Sequence, residues 1–398
     1  MLDAAPYMRA GALQLRELPP LALYVHFPWC LKKCPYCDFN SHPQRADQDN
    51  TAQQARYVQA LLADIEACLP LVWGRHIISI FMGGGTPSLF CPEHIEQFLS
   101  TTRALLPCAP GCEITLEANP GTFEQARFAA FRAAGVTRLS IGVQSFNDQL
   151  LAAIGRAHDG AQARAAAKEA AQHFEQFNLD LMYALPGQSL QEWENDLKTA
   201  LAFAPSHLST YQLTLEEGTP FAKNPPSNMP GDDAASAMMD ATDTACAAAG
   251  LRRYEVSAWA QRGCQCVHNL NYWQFGDYLG IGAGAHSKIS FTHRIIRQER
   301  ACQPEKYMQA ALSGSPVNNE RQVSLRDLPF EYMLGALRLK SGFYLHDFCT
   351  RCGLPPSAAL PKLHEAERKG WLTENNGHWA PTTRGFDFLS DVQQLFLP

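Results

Sequence analysis

From about residue 21 to residue 250 the chain alternates short apolar runs with amphipathic stretches, and this alternation restricts the fold more than any other feature. Leu21 to Phe27 is short, apolar and closed by Pro28, as a buried strand is. Thr51 to Leu69 carries Tyr57, Leu61, Leu62, Ile65 and Leu69 at helical spacing, which makes one apolar stripe. The same reading predicts strands at His76 to Met82, Glu113 to Ala118, Arg138 to Val143, Leu179 to Leu185 and Leu208 to Leu215. It predicts helices at Pro92 to Leu106, Phe123 to Ala134, Ala161 to Phe174, Ser189 to Phe203 and Asp233 to Ala249. Gly135 ends one of these and Ser189 caps another. Six such units imply a parallel sheet with helices on its outer face, either doubly wound or an incomplete (β/α)6 TIM-like barrel. Both architectures put their sites at the C-terminal ends of the strands, where the unusual residues of this sequence fall.

Pro220 to Gly231 is rich in Pro, Asn and Ser and reads as a loop. After residue 300 the alternation stops. Helices are expected at Leu328 to Leu339, Leu360 to Lys369 and Arg384 to Phe396, with a hairpin at Trp371 to Pro381 around Asn375-Asn376-Gly377. The chain therefore divides into residues 1–300, carrying the sheet, and residues 301–398, a smaller helical, winged-helix-like domain. Such modules often bind DNA, but this one has few basic residues, so packing or partner contact suits it better.

Composition narrows the function classes. A 46% hydrophobic, 18% charged chain is no disordered polymer. With 33 Lys and Arg against 39 Asp and Glu, the net charge of −6 argues against broad binding to a nucleic-acid backbone. No apolar run has the length of a membrane span. Met1 to Arg16 lacks the charged head and apolar core of a secretory signal, so a cytoplasmic protein is expected. Thirteen cysteines in such a chain point to reduced thiols or metal ligation.

Three of them are packed together in Cys30-Leu-Lys-Lys-Cys34-Pro-Tyr-Cys37, just after the first strand. Structural zinc usually takes four ligands in two separated pairs. A four-iron cluster with four Cys ligands is a closed electron carrier, whereas three ligands leave one iron open to a small molecule. Chance or buried cysteines are the plainer reading, and the tight spacing speaks against it.

The spacing resembles the signature of radical S-adenosylmethionine (SAM) proteins, in which three Cys hold a [4Fe–4S] cluster and SAM chelates the fourth iron. The resemblance covers most of the chain. Tyr24-Val-His-Phe-Pro-Trp-Cys30, Phe81-Met-Gly-Gly-Gly-Thr-Pro87, Glu117-Ala-Asn-Pro120, Ser140-Ile-Gly-Val-Gln144-Ser145-Phe146 and Asp180-Leu-Met-Tyr-Ala-Leu-Pro186-Gly187 resemble the branch containing oxygen-independent coproporphyrinogen III oxidase. The fold it implies is the incomplete (β/α)6 barrel. It also implies SAM contacts from Tyr24 and Tyr36, and from Gly84, Gly85 and Thr86, with Gly83 in the same run letting backbone approach the ligand. Glu117 and Asp180 suit the SAM amine or ribose hydroxyls, and Gln144 and Arg156 suit the ribose and the methionine carboxylate. Capping or surface pairing is the alternative for these four; their shared position at strand ends favours the site.

Two departures set the chain apart from the oxidases. Phe39 stands where they carry a fourth Cys, and only about 29 residues precede the cluster, little room for their substrate-binding extension. His268-Asn269-Leu270-Asn271-Tyr272-Trp273 resembles instead the His-Asn-x-x-Tyr-Trp signature of HemW-type heme chaperones. That resemblance implies heme as cargo, with His268 as axial ligand and Asn269, Tyr272 and Trp273 around the porphyrin. His286 is a second-choice ligand, and Cys264 and Cys266 read as free thiols. A heme chaperone serving an unidentified acceptor protein is the leading expectation. It leaves open a homodimer and peripheral membrane association through the acceptor. An oxygen-independent coproporphyrinogen III oxidase is the enzymatic alternative, and a radical SAM methyltransferase a weaker one.

Overall fold

A computed structural model describes residues 13–44, 50–121 and 127–398. The six expected strands form: β1 Leu21–Phe27, β2 Ile77–Gly84, β3 Cys108–Ala118, β4 Arg138–Gln144, β5 Gln176–Tyr183 and β6 His207–Gln212. Each pairs in parallel with the next in sequence, so strand order equals chain order, and the row is not closed. Helices α1 Thr51–Cys68, α2 Pro92–Leu105, α3 Phe128–Ala133, α4 Asp148–Ala153, α5 Gly160–His173, α6 Leu190–Leu201 and α7 Asp232–Ala248 carry the chain between these strands and beyond the last. The apolar stripe of α1 is real: Tyr57, Leu61 and Ile65 are fully buried against Val25, Phe27 and Leu279 in one core. Ser189 caps α6 as expected. Its Oγ accepts from the Glu192 N–H at 3.3 Å and its own N–H donates to the Glu192 carboxylate at 2.8 Å, a reciprocal cap worth about 1 kcal/mol.

The sheet is larger than the alternation foretold. On the β6 side it gains β7 Arg252–Glu255 and β8 Ala258–Ala260. On the β1 side it gains β9 Asp277–Ile281, parallel to β1, then the antiparallel β10 His286–Phe291, β11 Arg294–Arg300 and β12 Val317–Gln322. These strands escaped the sequence reading because buried polar groups break their apolar pattern. Asp277 holds Lys288 at 2.9 Å and Arg75 at 2.8 Å, and Arg300 holds Asp64 of α1 at 3.0 Å with both side chains fully enclosed. Removing one member of such a pair strands its partner and costs about 3–5 kcal/mol. The sheet also runs on past residue 300: helix α9 Pro304–Leu312 packs on α1, and β12 pairs with β11.

A second core draws mainly on residues from Val323 onward, with Phe275 and Ile295 from the sheet-bearing part. Helices Leu328–Ala336, Leu345–Cys352 and Leu360–Arg368 surround a three-stranded wing of Phe343–Tyr344, Leu372–Asn375 and His378–Pro381, with the hairpin turn at Asn376 and Gly377 as expected. Leu13 and Leu15 of the N-terminal segment are buried in this core. The expected terminal helix is two short ones, Thr383–Asp387 and Leu389–Gln394, broken at Phe388. The expected helix from Phe123 falls partly on residues 122–126, and the reading of Met1 to Arg16 mostly on residues 1–12, outside the described residues. Among the described residues no helix is long and apolar enough to cross a membrane.

Candidate functional site

A cavity of about 360 Å³ opens at the C-terminal ends of the parallel strands. The loop after β1 supplies Cys30, Cys34 and Cys37 to its wall, with Tyr36 and Phe39. Strand ends supply Gly84 of β2, with Gly85 and Thr86 just after it, Glu117 of β3 and Gln144 of β4; Asp180 comes from within β5, and Arg156 follows α4. Residues scattered over 150 positions of sequence thus meet because parallel strands end together.

The three thiols are held from several sides. Arg156 directs one guanidinium N–H toward the Cys34 sulfur at 3.8 Å and uses another for the Asn119 side-chain oxygen at 2.7 Å and the Gly142 carbonyl at 2.6 Å. Cys37 Sγ lies 3.9 Å from Ser41 Oγ. Thiols that bind a cluster each meet a different iron, and three thiols sharing one wall of the cavity fit such a [4Fe–4S] group.

The carboxylates below are poised for a cation. Burial, and then the neighbouring Asp180, push the Glu117 carboxyl up to about 8, although the Gly84 N–H donates to it at 3.2 Å. Burial also raises Asp180, against donors from Asn178 at 2.8 Å and Ser140 at 3.0 Å. An amine or sulfonium entering here would repay the ionisation that burial opposes. Gln144 takes φ of 66°, a left-handed conformation unusual for a side-chain-bearing residue, and such strain gathers at sites.

Gly84 and Gly85 line the cavity as expected, and close protein neighbours also require glycine there. A Cβ on Gly84 would stand 2.4 Å from the His26 ring, and one on Gly85 2.4 Å from the Trp29 carbonyl, so protein atoms fill those spaces. Tyr24 does not line the cavity: its hydroxyl lies 3.0 Å from His26 Nδ1, and His26 Nε2 donates to the Asn40 carbonyl at 2.8 Å. Tyr24 therefore props the cysteine loop through His26. Sequence reasoning also passed over Asn119, which bridges Thr86 and Arg156, and Tyr211 on the cavity rim. The Asn119-Pro120 pair directly after a strand was the available signal for the first.

The His-Asn-x-x-Tyr-Trp segment forms a short helix, α8 Val267–Trp273, at the opposite end of the barrel. Its first N–H groups, on Val267 and His268, donate to Glu113 at 3.2 and 3.3 Å. The i,i+4 spacing turns His268 and Tyr272 the same way. His268 is 1% exposed, with Nδ1 3.0 Å from Ser79 Oγ and its ring stacked on Phe81 at 4.9 Å. Burial and then Arg138 hold its imidazole down to about 3, so it is neutral. Tyr272 meets Tyr278 edge-on at 4.4 Å, Asn269 donates its backbone N–H toward Cys266, and Arg338 lies over Trp273 at 4.3 Å. The structure does not bring these four residues to the cavity; they plug the barrel foot. Among the described residues His268 Nε2 has no hydrogen-bond partner. Cys266 is buried beside Glu113, and Cys264 is half-buried.

A column of polar side chains joins the two ends. It runs from Asp180 through Ser140, Asn178 and His207 to Tyr254, whose hydroxyl accepts from the Cys266 N–H at 3.4 Å. His286 is exposed at the cavity end, where Asn40 ties the cysteine loop to Ala283 and Cys302 by two bonds of 2.9 Å.

Residues 24–200 match the radical SAM superfamily and residues 323–388 the HemN C-terminal domain. The chain is 44% identical to the heme chaperone HemW of Escherichia coli K12, over 96% of its own length and 99% of that protein. It is 42% identical to HemW of Haemophilus influenzae over the same shares. A mouse mitochondrial radical S-adenosyl methionine domain-containing protein 1 is 41% identical over 67% of this chain and 60% of that one. The solved structure of the E. coli coproporphyrinogen III oxidase HemN superposes with a TM-score of 0.80, at 22% identity, over 95% of this chain and 90% of that one, a likeness of fold.

Proposed function

The chain belongs to the HemW heme-chaperone family of the radical SAM superfamily, and from that premise we propose that it binds heme and passes it to an acceptor protein. In this reading Cys30, Cys34 and Cys37 hold a [4Fe–4S] cluster, and an exchangeable SAM occupies the cavity beside it in a cytoplasmic protein. The observation that carries the reading is a wall of three thiols facing two half-buried carboxylates, in a chain that aligns end to end with a heme chaperone.

The cluster, when bound, supplies an iron with an open coordination position and a source of one electron. The protein's own residues do the rest. Glu117 and Asp180 receive the positive end of the nucleotide, Arg156 its carboxylate, and Gln144 and Thr86 line the remaining wall. Phe39 is 57% exposed and Tyr211 44% exposed at the rim, with Lys32 and Lys33 on the same wall. Exposed flat side chains beside ammonium groups suit a porphyrin carrying propionates. His286, exposed at this end, is an imidazole that heme iron could reach, whereas His268 serves the foot of the barrel in the arrangement described.

The test is anaerobic reconstitution followed by heme titration and a coproporphyrinogen III turnover assay. Heme should bind with a Soret shift and no vinyl product should form; vinyl product would establish the oxidase instead. His286→Ala should alter the Soret spectrum and His268→Ala should leave it intact while lowering the melting temperature. The reverse pattern would return the axial role to His268.

A further inference from the structure

The interior layers of a barrel are ordinarily filled by bulky apolar side chains, and one layer of this sheet is not. Strand register sets Ser140 of β4, Asn178 of β5 and His207 of β6 side by side, and all three are buried. On β5 the alternation puts Asn178 and Asp180 on one face, opposite Phe177, Leu179 and Leu181 of the main core.

Chemistry fixes the direction of every hydrogen bond in this row. An ionised Asp180 only accepts: its Oδ1 receives Asn178 Nδ2 at 2.8 Å, and its Oδ2 receives Ser140 Oγ at 3.0 Å. Asn178 Nδ2 gives its second hydrogen to Ser140 Oγ at 2.8 Å. The amide oxygen of Asn178 therefore turns to β6, where the Ser209 hydroxyl donates to it at 3.1 Å and His207 Nδ1 lies 2.7 Å away as a second donor. Burial, and then Arg138, hold the His207 imidazole well below its ordinary range, so the ring is neutral. Its Nε2 is then an acceptor, and it receives the Tyr254 hydroxyl at 2.9 Å. Tyr254 in turn accepts the Cys266 N–H at 3.4 Å, a group that can only donate. From either end the donors point the same way, toward Asp180.

We propose that His207 is a positioning residue for SAM, orienting the Asn178 amide so that Asn178 and Ser140 hold the Asp180 carboxylate in place for the nucleotide. The inference rests on SAM occupying the cavity that Asp180 lines. Were the Asn178 amide turned over, its oxygen would face Asp180 where its nitrogen now donates, acceptor against acceptor. The Nδ1–H of His207 opposes that turn, because it would then meet an amide nitrogen.

Equilibrium dialysis of SAM against the anaerobically reconstituted full chain, with iron content measured in each sample, tests this. His207→Leu should bind SAM on the order of ten-fold more weakly with the cluster retained. His207→Asn places an amide nitrogen where Nδ1 stood and should return to within about two-fold of wild type, although it too loses the Tyr254 bond. In an Asp180→Ala background His207→Leu should weaken SAM no further. If His207→Leu does not fold, Ser140→Ala changes the packing far less, and the loss of one donor should still weaken SAM about three-fold. Equal losses in His207→Leu and His207→Asn would overturn the proposal, as would an undiminished effect of His207→Leu without Asp180, or wild-type affinity in Ser140→Ala. A wild-type protein that holds its cluster but binds no SAM would overturn the SAM reading itself, and this inference with it.

Discussion

Glu117 carries a charge problem that a single substitution exposes. Its carboxyl is pushed from an ordinary 4.5 up to about 8, first by burial and then by Asp180. Near pH 6.5 the ligand-free protein therefore holds Glu117 almost wholly protonated, roughly 97% by simple titration. SAM brings a sulfonium and an amine still cationic at that pH, and pairing with either needs the carboxylate. Binding should release close to one proton per SAM from Glu117, and Glu117→Gln should release about one proton fewer. Isothermal titration calorimetry of the anaerobically reconstituted protein, in two buffers of unlike ionisation enthalpy, reads that number directly. The same shift has a sign for stability. Because the folded state binds the proton more tightly than the unfolded one, stability falls as pH rises from about 4.5 to about 8 and flattens above. Ionising the buried group costs roughly 5 kcal/mol in full, of which about 2–3 kcal/mol falls between pH 6 and pH 8.5. Wild type should lose that much relative to Glu117→Gln in ligand-free urea unfolding. Equal proton release in both proteins, together with parallel pH profiles, would refute the assignment of Glu117 as the titrating floor of the cavity.

Gly84→Ala places a methyl 2.4 Å from the His26 ring on a backbone with φ of 106°. It should cost about 2 kcal/mol or more and loosen the bond from His26 to Asn40, lowering both melting temperature and iron content; an unchanged iron-to-protein ratio would count against His26 as the prop of the cysteine loop. Arg156→Lys keeps the charge but loses the fork that reaches Asn119 and Gly142. SAM affinity measured by equilibrium dialysis should fall by roughly 10–100-fold with the cluster retained, and unchanged affinity would remove Arg156 from the nucleotide wall.

The parallel strands were legible because each is an uninterrupted apolar run, and the cysteine loop because its spacing is local. Glu117 was legible by position, as a polar residue at the close of an apolar run, whereas Asp180 lies inside its strand and was legible through the family motif. What failed to show was anything that depends on a distant partner. Asp277, Lys288, Gln298 and Arg300 were assigned no place from sequence, yet they are buried, with Arg75 and Asp64 among the partners of Asp277 and Arg300. How tightly His26 and the Trp29 carbonyl pack against the glycine run was not visible either. The motif at residues 268–273 was legible through its family resemblance, whereas helical spacing shows which of its side chains share a face and not what that face meets.

The passage of the sheet beyond Arg300 decides where this protein can be cut. A chain ended there would strip α9 from α1 and leave β11 as a bare edge, with its unpaired N–H and C=O groups offered to any neighbouring molecule. Severed after Gln322, the larger piece would retain its outermost strand, and the principal surface left uncovered would be the one on which the small wing-bearing unit now rests.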